Sequence, residues 1–322
     1  MDVSIVVPCF NEVDLVDALV GALDAACVAL EAGGRHAEAI VVDDGSTDGS
    51  FDRLAQAAAG RPHLRLVRLR RNFGQTAALK AGFDHARGDV LVPMDADGQN
   101  DAADIPKLLA KLDEGYDVVS GWRRRRQDTW LTRVLPSKIA NRLIGAISGV
   151  RLRDYGCTLK AYRRAVIAPV RLYGEMHRFI PIFASWNGAR ITEMEVLHHP
   201  RRAGRSKYGV GRTFKVLLDL ATVKFLADYS TKPIYLFGGA GLVSFAVSMG
   251  AAATALWQKL ALGVKVHRNP LALLAAVLAV VGVQFVLMGL LAELLVRTWH
   301  ESQDKPVYLV RETRNVDAEA NP

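Results

Sequence analysis

The chain has 322 residues, half of them hydrophobic and 23% charged, with 41 Lys and Arg against 33 Asp and Glu for a net charge of +8. This apolar content excludes a disordered chain. Three widely spaced cysteines (Cys9, Cys27 and Cys157) with no C-x-x-C spacing exclude a disulfide scaffold and are expected to be buried, reduced side chains.

From the N-terminus, VSIVVP is continuous and β-branched and predicts a buried strand ended by Pro8. An acidic residue at position 2 and the shortness of this apolar run do not fit a secretory signal peptide. Residues 13–32 predict a helix with Leu15, Leu19, Leu23 and Leu30 broadly on one face. EAIVVDD predicts a second buried strand, 48–59 a helix, HLRLVRLR a strand, 76–86 a helix and DVLVPMDAD another strand. Strands alternating with helices at this spacing imply an α/β fold with a mostly parallel sheet, which binds ligands beyond the carboxyl ends of its strands. Two acidic clusters fall at such ends, Asp43-Asp44 and Asp95-Ala96-Asp97.

The second cluster carries the chemistry. Two carboxylates two residues apart at a strand end need a cation or solvent. Asp95, Asp97 and the neutral oxygen of Gln99 suit one hard divalent ion, Mg²⁺ or Mn²⁺, with positions left for diphosphate oxygens and water. The competing reading is a solvated turn in which Asp101 and Asp104 cap the next helix. Neither G-x-G-x-x-G nor G-x-x-x-x-G-K-[ST] occurs, so the dinucleotide and P-loop fingerprints are missing.

Farther along, Arg123 to Arg126, Arg133, Lys138 and Arg142 are interleaved with Trp122 and Trp130, and Arg201, Arg202, Arg205 and Lys207 form a second basic stretch. Guanidinium groups bind phosphate oxygens in pairs, so both stretches suit an anionic phosphate ligand. Nucleic acid is a poor fit beside the acidic D-x-D and the apolar segments that follow. Residues 211–232 predict an amphipathic helix in a membrane interface. The 25 residues 233–257 and the 22 residues 271–292 contain no Asp, Glu, Lys, Arg or His, and each exceeds the ~20 residues needed to cross a bilayer. They predict a transmembrane hairpin over 233–296, in which Gln284 makes an interhelical hydrogen bond. Lys224, Lys232, Arg297, Lys305 and Arg311 flank the hairpin, against Lys259, Lys265 and Arg268 in its loop, a weak bias toward a cytoplasmic main body and a cytoplasmic tail over 297–322. Every candidate reactive group precedes residue 210, so a chain ending at 230 is expected to bind nucleotide.

Taken together, VVPCFNE, VDDGSTD and MDADGQND resemble the family 2 glycosyltransferases of the GT-A fold. The stretches NFGQTAALKAG, RQDTW, SKIANRLI, DYGCTLKAYRR, RFIP and RRAGRSKYGVGR narrow the likeness to the polyprenyl-phosphate glycosyltransferases, a branch that includes dolichyl-phosphate mannose synthases and the bacterial 4-deoxy-4-formamido-L-arabinose transferases. The resemblance implies a GT-A catalytic domain over 1–210, with a nucleotide-sugar half (1–120) and an acceptor half (121–210). It implies a UDP- or GDP-linked donor held by Pro8, Asn11, Glu12, Asp43, Asp44, Gln75 and Asp95, and a metal on Asp95, Asp97 and Gln99. Polyprenyl phosphate is the implied acceptor, with Arg123, Arg133, Ser137, Arg201, Arg202, Ser206 and Lys207 as its candidate phosphate ligands. Asp97, Asp154 and Arg133 are the candidate catalytic residues, Asp154 orienting acceptor or sugar unless it is merely a cap or paired with Arg153 or Lys160. The implied protein is a bacterial-type inner-membrane homotetramer whose KPVYLVRE segment pairs with a neighbouring subunit. A processive polysaccharide synthase and a silent membrane scaffold are the alternatives. The first lacks a Q-x-x-R-W-type motif and further spans here, and intact Asp95, Asp97 and Gln99 argue against the second.

Overall fold

The computed structural model describes residues 1–124, 141–142, 144–145, 148–170, 172, 176–200, 234–302 and 307–316. The stretch holding Arg133 and Ser137, the one holding Arg201, Arg202, Ser206 and Lys207, and the interfacial helix expected over 211–232 lie outside them. The chain divides into two compact units, Met1–Val223 with Pro306–Pro322, and Lys224–Lys305.

The first unit is built on an eight-stranded sheet in the order β7-β5-β6-β4-β1-β2-β3-β8. Its strands are β1 (Val3–Cys9), β2 (Ala37–Asp43), β3 (Leu64–Leu69), β4 (Val90–Pro93), β5 (Val118–Trp122), β6 (Lys160–Arg163), β7 (Ile191–Glu195) and β8 (Val310–Arg314). β6 and β8 run antiparallel to their neighbours, and the other six strands are parallel. Helices α1 (Val16–Ala32), α2 (Ser50–Ala58), α3 (Gln75–His85) and α4 (Ile105–Asp113) follow the first four strands in turn, and α5 (Arg164–Ile167) and α6 (Ile180–Trp186) come later. Val3, Ile5, Val7, Ala39, Val41, Leu66 and Val92 lie in one core with Leu19, Leu23, Leu30 and Leu54, as continuous apolar strands buried on both faces require. The three cysteines are buried and reduced. Pro8 does not end β1, which pairs with β2 through Pro8 and Cys9. Pairing with β4 stops at Val6, so at Pro8 the strand has one partner, as at an edge, where a missing N–H is tolerated.

The strand order reverses direction of growth between β1 and β4, the switch point where open parallel sheets form a ligand crevice. α3 runs beneath it, close to the sheet. A Cβ on Gly82 would lie 2.2 Å from Val6 Cγ1, so only glycine permits this approach.

The C-terminal segment joins this sheet. Val310–Arg314 forms its edge strand, antiparallel to β3. The physical reason lies in the partners it finds there. Arg65 of β3 pairs with Glu38 of β2 at 2.7 Å in the buried interior, and its Nε donates to the Asn315 carbonyl. Asn315, at φ +56°, turns the chain so that its amide donates to the carbonyls of Leu64 (2.8 Å) and Arg61 (3.1 Å). Tyr308 donates to Asp84 at the end of α3. The soluble unit is therefore discontinuous in sequence, and a chain ending at 230 would lack an edge strand.

In the second unit, α7 (Ile234–Leu262) and α8 (Pro270–Ser302) form an antiparallel hairpin. Leu236–Leu262 and Pro270–Ala292 are long and apolar enough to cross a membrane. Their side chains face outward, Leu242 at 70% and Leu260 at 76% exposure, the opposite of a soluble core helix. Ser244 and Ser248 donate across to the carbonyls of Leu278 and Ala275, and Gly241 meets Gly282 closely. The interhelical bond expected of Gln284 is not formed. Its side chain is exposed and has no partner among the described residues, because these two serines take the inner face.

Candidate active site

Both acidic clusters sit at the carboxyl ends of their strands, but their surroundings differ. At the end of β2, Asp44 accepts from the backbone N–H groups of Phe73 (2.7 Å) and Gly74 (2.9 Å), the turn that opens α3. Asp43 accepts from the Ser46 N–H, with Arg68 Nε 3.6 Å away. Burial pushes both carboxyls above the usual range. Gly45 between them and the loop is obligatory, since it has φ +72° and a Cβ would strike the Arg71 backbone at 2.4 Å. Asn11, at φ +54°, donates its N–H to Ser46 Oγ and accepts at Oδ1 from the Thr47 N–H, and the Glu12 N–H reaches Ser50 Oγ. Pro8, Asn11, Glu12, Asp43 and Asp44 thus belong to one cluster of loops at the ends of β1 and β2.

At the end of β4 the strand stops at Pro93, and both carboxylates lie in the loop beyond it. Asp95 is held by side chains, Gln75 Nε2 at 2.9 Å and Thr158 Oγ1 at 2.7 Å. Burial, and then the neighbouring Asp97 charge, push its pKa upward. Asp97 is 9% exposed, and its Oδ1 accepts from the Gln99 N–H at 3.1 Å. Gln75 begins α3, so the helix anchored by Asp44 also carries the donor to Asp95. The next residue, Thr76, bonds His177 Nδ1 at 2.7 Å, bringing the 3-10 turn Met176–Phe179 to the same place. Asp101 caps the following 3-10 turn through the Ala103 N–H and binds His199, and Asp104 accepts from Lys107 and the Leu197 N–H.

A buried charged cluster flanks this pair. Asp154 is paired with Arg123 through two bonds, 2.7 Å to Nε and 3.0 Å to Nη2, and its Oδ1 also accepts from the Gly156 N–H at 3.1 Å, so it caps this turn as well. Burial alone would lower the Arg123 pKa, but the bonds and charge of Asp154 hold it above its ordinary value. Two of the guanidinium nitrogens expected to meet a lipid phosphate are therefore engaged within the protein. Lys160, buried on β6, donates to the Tyr155 and Cys157 carbonyls, and burial lowers its pKa. It fixes the turn that carries Asp154, Gly156 and Thr158. Sequence reasoning did not assign Thr158, Lys160, Thr76 or His177, although DYGCTLK and the HRF stretch contained them.

The pair at the end of β4 suits a divalent cation. Asp95 lies in a desolvated place beside the Asp97 carboxylate, which disfavours its charged form, a cost that a cation removes. Among the described residues no three His, Cys, Asp or Glu side chains converge to enclose an ion. Such a cation would use Asp97 with Asp95 or Gln99 and take its other ligands from bound oxygens.

The family model for glycosyl transferase family 2 matches residues 4–170. The chain is 44% identical to a dodecaprenyl-phosphate galacturonate synthase from Rhizobium johnstonii over 97% of its length and 93% of that protein's. It is 39% identical to an undecaprenyl-phosphate 4-deoxy-4-formamido-L-arabinose transferase from Klebsiella pneumoniae, over 96% and 92%. The chain belongs to glycosyl transferase family 2. It is a glycosyltransferase with the GT-A fold, which the glucosyl-3-phosphoglycerate synthase of Mycobacterium tuberculosis, solved with Mn²⁺ and UDP-glucose, shares at a TM-score of 0.53 and 18% identity over 69% of this chain and 78% of that one. Another solved form of that synthase holds Mg²⁺ and UDP (TM-score 0.51, 19% identity, 69% and 79% covered).

Proposed function

We propose that the protein moves one sugar from a UDP- or GDP-linked donor to a polyprenyl phosphate at a bacterial inner membrane, with its catalytic unit on the cytoplasmic side. The observation that carries this reading is the combination of the Asp95–Asp97 pair at the switch point with near full-length similarity to transferases named for polyprenyl phosphates. The two apolar helices fit a lipid acceptor.

The reaction is a displacement at the anomeric carbon. A phosphate-monoester oxygen forms the new bond as the bond to the nucleoside diphosphate breaks, with inversion. The second pKa of such a phosphate is about 6, so the nucleophile is largely dianionic at pH 7 and needs little help from a base. Bound Mg²⁺ or Mn²⁺ supplies charge neutralisation on the leaving diphosphate. The protein's part is to bring two anions together. Asp97 with Asp95 and Gln99 holds the donor's cation, and the loops at Pro8, Asn11, Glu12, Asp43 and Asp44 hold the nucleoside. Arg133, Ser137, Arg201, Arg202, Ser206 and Lys207 are the proposed acceptor-phosphate ligands. Asp154, paired with Arg123, orients the acceptor side. The homotetramer implied by the family resemblance is part of the same reading.

The test is transfer by detergent-purified protein to undecaprenyl phosphate, with UDP-galacturonic acid, UDP-linked 4-deoxy-4-formamido-L-arabinose, UDP-glucose and GDP-mannose supplied in turn. One donor is expected to give a lipid product of the summed mass, and undecaprenol, which lacks the phosphate, none. Equal use of undecaprenol would contradict the phosphate as nucleophile.

A further inference from the structure

The strand that returns after the membrane hairpin does more than close the sheet. Glu312 lies opposite Arg68 and Val310 opposite Leu69, so Arg311 is an extra residue, the bulge of the β3–β8 ladder. A bulge interrupts alternation and re-aims a side chain, and bulges cluster beside active sites. Here Arg311 lines a cavity of about 370 Å³ together with Phe10, Ser46, Thr47, Arg70 and Arg71. These loops adjoin Asp43 at the end of β2, the side of the site away from the Asp95–Asp97 pair.

The charges around this cavity are unequal in their engagement. Arg68 stands near Asp43 and Glu312 and lies over the Phe51 ring, while Arg71 lies over Phe73 and donates to the Asn72 carbonyl. Arg70 and Arg311 have no carboxylate partner among the described residues. Two guanidinium groups without counter-charges at one cavity mouth form a donor-rich wall, which suits a ligand offering carbonyl oxygens and a flat ring for stacking.

We propose that Arg311 belongs to the nucleoside subsite of the donor, contacting the base, so that the donor site is completed by a strand lying beyond the hairpin in sequence. This rests on the reading of the protein as a nucleotide-sugar transferase. It explains why the catalytic unit is discontinuous, because the residues before 230 supply the floor of the cavity and the C-terminal segment supplies one wall. It also reverses the expectation that a chain ending at 230 binds nucleotide normally.

The test uses the full-length protein in detergent with Mg²⁺. Calorimetry measures the affinity for UDP or GDP, whichever wild type binds more tightly, and for inorganic pyrophosphate as a probe without a base. Arg311→Ala is expected to weaken nucleoside diphosphate binding about tenfold and to leave pyrophosphate within about twofold. Arg311→Lys, which keeps the charge but not the planar fork, is expected to fall between and serves if the alanine variant does not fold. Thr313→Ala, on the same strand, is expected to bind both probes as wild type does. Unchanged nucleoside diphosphate affinity in both Arg311 variants would overturn the assignment, as would an equal loss for pyrophosphate. Wild type that binds pyrophosphate but no nucleoside diphosphate would instead defeat the donor reading, and the assignment with it.

Discussion

The ends of β2 and β4 carry nearly the same motif, two acidic residues after an apolar run, yet the fold uses them differently. Asp44 is satisfied by two backbone N–H groups of the turn into α3. Asp95 is satisfied by two side chains, Gln75 and Thr158, with Asp97 beside it. Backbone donors cannot leave without unmaking the turn, so Asp44 anchors structure. Side-chain donors can rotate, so Asp95 can turn its oxygens to a cation. Burial raises the pKa at both places, but only at Asp95 does a neighbouring carboxylate follow as the next cause. Desolvation beside a like charge is common at sites that take a ligand.

The sharpest way to break this contrast is Asp97→Asn. Turnover should fall about a thousandfold, since a metal's charge stabilisation is worth several kcal/mol, while the thermal midpoint stays close to wild type. Chelation of wild type should stop turnover in the same assay, and full activity in excess EDTA would remove the metal from the account. Asp44→Ala should act first on stability. It leaves two amides at the start of α3 without their acceptor and should cost about 2 kcal/mol or more in urea unfolding. A fully stable Asp44→Ala would mean that solvent replaces the carboxylate and that the anchor role is wrong. The smallest effect belongs to Thr158→Val, which removes one of the two donors to Asp95. A loss of about 1 kcal/mol, or roughly fivefold in kcat/KM, is expected, with the urea midpoint barely moved. An effect as large as that of Asp97→Asn would place Thr158 in direct contact with substrate.

Much of this was legible in the sequence, for identifiable reasons. Continuous β-branched runs can only be central strands, so β1 to β4 and their helices emerged from periodicity alone, and both acidic clusters were placed at strand ends by that count. The two long apolar helices were legible because 22 to 25 residues without charge have few soluble uses. The rest depended on contacts distant in sequence. Asp154 meets Arg123 across 31 residues, Thr76 meets His177 across 101, and Arg65 meets Asn315 across 250. No local pattern encodes such pairings. The C-terminal strand was foreseen as a strand but its pairing with β3 was not, because an alternating five-residue segment specifies an edge without specifying which one. Gln284 failed differently, since one polar residue on a helix of period 3.6 fixes a face only when the neighbouring helix is known.

The most direct test of the division between the two acidic ends is a count of bound Mn²⁺ by electron paramagnetic resonance, with UDP or GDP at concentrations that saturate each protein, on wild type, Asp97→Asn and Asp44→Asn. The account predicts one tightly held ion per chain in wild type and in Asp44→Asn, and none in Asp97→Asn. An Asp97→Asn protein that holds Mn²⁺ as wild type does, or an Asp44→Asn protein that loses it while folded, would contradict it.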